Sequence, residues 1–151
     1  MAWRLAQINV AKFKAPADDP ANLDFVRMID SVNAQAEIQP GFVWRMDGDG
    51  GPANAADVAA YEADNMIVNL SVWTDPDALR AFAWNDPMHR GMWMRKRQWF
   101  ERMKVYLALW WIPEGERPTV AEGRARLAHL AEHGPGPYVF TFGAPQPAPE
   151  S

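Results

Sequence analysis

Leu5–Lys12, LAQINVAK, and Asn65–Trp73, NMIVNLSVW, decide the reading of this chain. In the first, Ile8 and Val10 point one way while Gln7 and Asn9 point the other. In the second, Met66, Val68, Leu70 and Val72 oppose Asn65, Asn69 and Ser71. Side chains alternate across a strand, so each segment has one apolar face suited to a helix-covered core and one face of amides and a hydroxyl. Eight tryptophans and seven phenylalanines surround these strands, too many to scatter over a soluble surface. Polar groups at the centre of an aromatic-rich sheet point to a lined cavity.

Working outward, strand one covers Trp3–Phe13 and a loop covers Pro16–Pro20. Asp19 caps a helix with Pro20 at its first position, where a missing N–H costs nothing. Leu23, Val26, Ile29, Val32 and Ala36 then recur at helical spacing. Gln39-Pro40-Gly41 stops that helix, strand two is Phe42–Met46, and Asp47–Ala56 reads as a mobile Gly/Asp/Pro/Asn loop. After strand three, Thr74 and Asp77 stand at capping-box spacing before a helix over Pro76–Trp84. Asn85-Asp86-Pro87 opens another over Met88–Arg102. Strand four is Lys104–Ile112. Thr119 and Glu122 box a helix running to about His133, Gly134-Pro135-Gly136 ends it, and Tyr138–Phe142 is a short fifth strand. Residues 1–142 form one domain, and Gly143–Ser151, with three prolines, reads as a disordered tail.

The order β-α-β-β-α(α)-β with an α-β extension is α+β: a ferredoxin-like split βαβ with an antiparallel sheet and helices on one face. The other face would carry Gln7, Asn9, Asn69, Ser71, Trp73, Tyr106 and Trp110, too aromatic to stay bare. A second copy is the economical cover, giving a dimeric α/β barrel with amides inside. The α-β extension folding over that face is the competing arrangement.

The net charge of −4 and a pI near 5.3 argue against non-specific nucleic-acid binding. With no cysteine, disulfides, thiolate catalysis and Cys-ligated metals are excluded. No run approaches the roughly 20 apolar residues of a spanning helix, and MAWRLAQINVAKF lacks a signal-peptide pattern, so a cytoplasmic protein with no membrane partner is the expectation. Asn69-Leu70-Ser71 fits a glycosylation pattern but lies inside a strand.

The segments AQINVAKF, DDPANLDFVRMIDSVNAQAEIQPGFVWRM, NLSVWTDPDALRAFAW, DPMHRGMWMRKRQWFERM, ALWWIPEGERPT and FTF resemble the bacterial family called domain of unknown function 3291. The resemblance runs from about Trp3 to Phe142. It implies a dimeric α/β barrel, in a superfamily shared with antibiotic-biosynthesis monooxygenases and haem-degrading monooxygenases. The haem-degrading relatives use an Asn on the first strand, then a Trp and a His ten residues apart. Asn9 matches the first. The Trp position falls on Phe82 and the His position on Met92, with Trp84 and His89 displaced nearby.

His89 is the histidine of the barrel portion, a candidate general base or axial ligand; the plain alternative is a helix-start histidine bonded to a carbonyl. Asn9 and Asn69 are candidates to hold a carbonyl or developing oxyanion, against an amide ladder between strands. Arg45 is a candidate carboxylate clamp, against an ordinary ion pair. Gln7, Ser71, Trp73, Trp84, Tyr106 and Trp110 complete the substrate-binding set. His129-Leu-Ala-Glu132-His133 spells the inverted zinc-protease motif in a poor context, since histidines suit a helix C-terminus through the dipole alone. Asp47-Gly48-Asp49-Gly50 begins like a calcium loop, but Gly51 and Pro52 break it. The basic residues of Met88–Lys104 read as a solvated face behind a docked aromatic stripe. The sequence thus favours a homodimeric small-molecule protein, monooxygenase-like, acting without cofactor or metal on a hydrophobic carbonyl-bearing or aromatic compound. A non-catalytic carrier or sensor, or a haem protein with His89 as axial ligand, are the alternatives.

Overall fold

The computed structural model describes residues 2–46 and 55–149. β1 (Trp3–Lys12) pairs antiparallel with β3 (Met66–Trp73) on one side and β4 (Leu107–Pro113) on the other, and β2 (Phe42–Arg45) adds to the outside of β3. The sheet order is therefore β2-β3-β1-β4. Asn9 lies opposite Asn69, and Gln7 lies between Ser71 and Leu109.

The helices are α1 (Leu23–Glu37), α2 (Ala55–Ala63), α3 (Pro76–Asn85), α4 (Pro87–Trp99) and α5 (Val120–His133). Asp19 caps as expected, its carboxylate accepting from Ala21 N at 2.8 Å, although the first turn is 3-10. Asp86 caps α4 by accepting from His89 N at 2.9 Å, and Thr119 caps α5. The cap of α3 is Asp75, not Thr74: Pro76 occupies the first helical position, so the residue before it must cap, and Asp75 accepts from Ala78 N. Helix α2 was not expected from the sequence, where the polar loop before it hides the start. The loop reading and the calcium-like run fall largely at 47–54, outside the described residues. The expected fifth strand reduces to a single antiparallel bridge, Leu109 with Phe140.

Sheet parity assigns the two faces. The even residues Ala6, Ile8, Val10, Leu70, Val72, Ala108 and Trp110 form a core with Val58 of α2 and Val120, Leu127 and Leu130 of α5. The odd residues Leu5, Trp73 and Leu109 pack against Val32 and Ala36 of α1 and Leu79 and Phe82 of α3. At the far end, Phe13, Phe25, Trp99 and Phe100 make a third cluster that anchors α4. The ferredoxin-like helices α1, α3 and α4 thus share one face, but it is the amide face. Leu5, Trp73 and Leu109 provide an apolar margin on which those helices dock, leaving the amides in the middle. The continuous apolar face demands closer cover, and α5 provides it, with Gly123 fitting against Ile8. Both faces are covered within one chain, so a second copy is not required as a lid over the amides.

Candidate functional site

Between the odd face of the sheet and helices α1, α3 and α4 lies a cavity of about 350 Å³, within the usual range for small-molecule sites. Its floor is Gln7, Asn9, Asn69, Ser71 and Trp73; Phe25, Ile29, Val32, Phe82 and Met92 are among its apolar walls.

The floor is a hydrogen-bond network whose accounts do not close. Trp73 Nε1–H donates to Ser71 Oγ at 3.0 Å. Gln7 Nε2 donates to Ser71 Oγ at 2.7 Å and to Asn69 Oδ1 at 2.6 Å. Gln7 Oε1 accepts from Asn9 Nδ2 at 2.9 Å. Gln7 is 2% exposed and spends both N–H groups. Asn9 Oδ1 and both N–H groups of Asn69 stay unspent, and these two residues are only half-buried in the cavity floor. Turning all three carboxamides over together preserves the network and exchanges the roles of Asn9 and Asn69. Either way the pair offers the cavity one amide NH2 and one amide carbonyl.

Above this floor, His89 projects from the first turn of α4. Its Nδ1 lies 2.7 Å from the carbonyl oxygen of Ala83, and because a carbonyl only accepts, the proton sits on Nδ1. Nε2 therefore carries a lone pair, with no hydrogen-bond partner among the described residues. Burial pushes the His89 pKa down, opposed in part by the Ala83 carbonyl and by Asp86, so the ring is neutral near pH 7. Phe82 packs against it at 5.2 Å.

The remaining expected residues divide. Trp73 is buried, stacked on Phe82 at 5.6 Å and edge-on to Phe42. Trp84 lines the cavity with Phe142, 5.6 Å away, and Arg80 braces both: its guanidinium lies over Trp84 and donates to the Phe142 carbonyl at 3.0 Å. Tyr106 reaches the wall from just before β4. Arg45 also lines the cavity, but its Nε–H is held by Glu37 at 2.7 Å. Trp110 does not belong to the site. Register sets it opposite Ala6 while Leu109 faces Gln7, so it points into the α5 side, where its Nε1–H donates to Glu122 Oε1 at 2.7 Å. Tyr106 and Trp110 share sequence parity, yet Tyr106 precedes the paired strand and escapes its alternation.

Sequence reasoning missed Phe25, Val32, Lys96, Arg97 and Phe142 as lining residues. Helical spacing marks His89, Met92, Trp93 and Lys96 as one face of α4, but not that this face stands off from the sheet. The rings of His129 and His133 lie 4.6 Å apart, mutually tilted, on α5, away from the cavity. No group of three or more potential metal-ligating side chains gathers among the described residues, and no helix there is long and apolar enough to cross a membrane.

Comparison with solved structures finds SnoaB from Streptomyces nogalater, described as a cofactor-independent oxygenase, at 22% identity over 76% of this chain and 96% of that one, with a TM-score of 0.46. PA3566 from Pseudomonas aeruginosa matches at 12% identity, 77% and 98% coverage and a TM-score of 0.48. NE2512 from Nitrosomonas europaea matches at 8%, 77% and 93%, with 0.47. No curated protein matches in sequence. The family profile of DUF3291, described as a domain of unknown function, matches residues 4–151, and the chain belongs to that family.

Proposed function

We propose that the cavity binds a hydrophobic aromatic or carbonyl-bearing small molecule and acts on it as a monooxygenase-like catalyst, with His89 as base and the Asn9–Asn69 pair as oxyanion holder. One observation carries this reading: unspent amide donors and an unspent acceptor at the floor of an otherwise apolar cavity. A ligand oxygen that accepts from the free NH2 satisfies a group that protein alone leaves open. The proton of an acidic C–H or O–H passes to His89 Nε2, and the electron pair left on oxygen is stabilised by the fixed amide N–H. Such an electron-rich anion reacts with dioxygen; a ring CH2 then becomes C=O and one water is released.

This reading uses no cofactor. His89 has the ligand chemistry of an axial imidazole, with Nδ1–H anchored on a carbonyl. The floor opposite is a patch of amides and a hydroxyl, which suits the polar edge of a ligand better than the face of a macrocycle, so haem fits this site poorly. The family resemblance implies a homodimer. With both sheet faces covered, the copies would meet through edges and helices, and light scattering at micromolar concentration reads the mass directly.

The test is enolisation of 2-tetralone, an aromatic ketone with an acidic CH2, followed by NMR as deuterium exchange at that carbon. Acceleration by the protein, lost in His89→Gln and reduced in Asn69→Ala, is the expected result. Binding without acceleration would instead favour the carrier or sensor.

A further inference from the structure

The cation cluster at the other end of the cavity has no role in the site described so far. On α4, His89, Met92, Trp93, Lys96 and Arg97 all line the cavity, spaced as one helical face. Lys96 lies two turns beyond His89, about 10 Å along the axis at 1.5 Å per residue. Its ammonium sits over the Trp93 ring and has no carboxylate partner among the described residues. Burial lowers its pKa, and the neighbouring Arg97 and Arg102 charges lower it further. Lys14 adds a fourth cation by donating to the Arg97 carbonyl. Glu101 is the carboxylate of the lining, and neither Lys96 nor Arg97 forms an ion pair with it. Arg45, which also lines the cavity, is by contrast matched by Glu37, and Arg95 on the same helix by Asp24.

A protein of net charge −4 has carboxylates to spare, so an unmatched positive group beside an apolar cavity is a feature to be explained. We propose that the ligand is an anion, an aromatic carboxylate whose acid group is received by Lys96 and Arg97 while its other end carries the oxygen read by Asn9 and Asn69. The apolar walls between the two polar ends take the ring system. The rise of about 10 Å along α4 from His89 to Lys96 sets the scale of the ligand at two or three fused rings. Cations that meet an anion at a partly desolvated mouth also raise its local concentration. This rests on the cavity being the ligand site.

The probe is 6-hydroxy-2-naphthoate, compared with its neutral methyl ester by titration calorimetry. The carboxylate should bind about tenfold more tightly than the ester at low salt, the equivalent of one charge-assisted hydrogen bond, and the advantage should shrink as salt rises. Lys96→Gln with Arg97→Gln should abolish the difference between acid and ester, with the melting temperature unchanged. Equal affinity of acid and ester for the unmodified protein would overturn the anionic assignment alone. Failure of both to bind would overturn the ligand site itself.

Discussion

Replacing Gln7 and replacing Asn69 should separate support from function within one network. Gln7 is 2% exposed and holds three contacts, at 2.6, 2.7 and 2.9 Å. Gln7→Leu removes all of them. Ser71 keeps its bond from Trp73, but Asn9 and Asn69 retain only a 3.4 Å contact with each other. At about 1 kcal/mol net per hydrogen bond, partly offset by the leucine, the loss comes to about 2–3 kcal/mol. For a domain of this size that is a fall of about 5–10 °C in melting temperature. Asn69→Ala is different, because Asn69 is half-buried and cavity water can take over its role; about 1 kcal/mol, or 2–4 °C, is expected. Ligand affinity should show the opposite order. Asn69→Ala removes half of the amide pair offered to the ligand. Thermal melts with calorimetric titration of 2-naphthol measure both. A large fall in melting temperature for Asn69→Ala with unchanged affinity would show that the amides only tie the strands together, and the reasoning would fail.

The lowered pKa of His89 fixes the sign of a pH effect: above the unfolded value near 6.5 the ring is neutral in both states and contributes nothing, whereas below it the unfolded chain takes up the proton first, so stability falls until the lower folded pKa is passed. His89→Gln should flatten that acid slope in denaturant titrations between pH 7 and 5. On α5, a Cβ at Gly123 would lie 2.6 Å from Ile8 Cδ1 and 3.2 Å from Ile8 Cβ, so Gly123→Ala should cost about 1–3 kcal/mol; Gly91→Ala on α4, with open space around it, should gain up to about 1 kcal/mol, both read by chemical denaturation. Trp110→Leu should lower stability by about 2–4 kcal/mol while leaving 2-naphthol binding intact, since its ring lies on the α5 side. Haemin titration should give no stoichiometric Soret band; a band lost in His89→Ala and retained in His129→Ala would establish the axial-ligand alternative.

The alternation in LAQINVAK and NMIVNLSVW made the two sheet faces legible, because a strand's period of two leaves no freedom in which side chains share a face. It could not tell which cover each face receives. Amides looked like the face turned away from helices, yet Leu5, Trp73 and Leu109 flank them and suffice to seat α1 and α3. Trp110 was misplaced because strand four was started three residues early, which let Tyr106 set the parity. His89 and Asn9 were legible as chemistry-bearing types at element starts and centres. Lys96 was hidden by its company: in a run with Arg90, Arg95, Arg97 and Arg102 nothing in the sequence marks which cations line the cavity.

The two faces also divide the energetic work, and that division explains how the cavity is tolerated. A cavity of about 350 Å³ forfeits dispersion contacts along its lining, and unspent amides beside it cost more still if water cannot reach them. The even face offsets this. Ala6, Ile8, Ala108, Trp110 and Val120 are fully buried there, and α5 closes over them at the one residue small enough to meet Ile8. The C-terminal extension therefore acts as the stabilising layer of the sheet, while α1, α3 and α4 stand off far enough to leave room for a ligand. On this argument, loosening α5 unfolds the chain without selecting against any ligand, and altering the α4 face changes what binds without unfolding it.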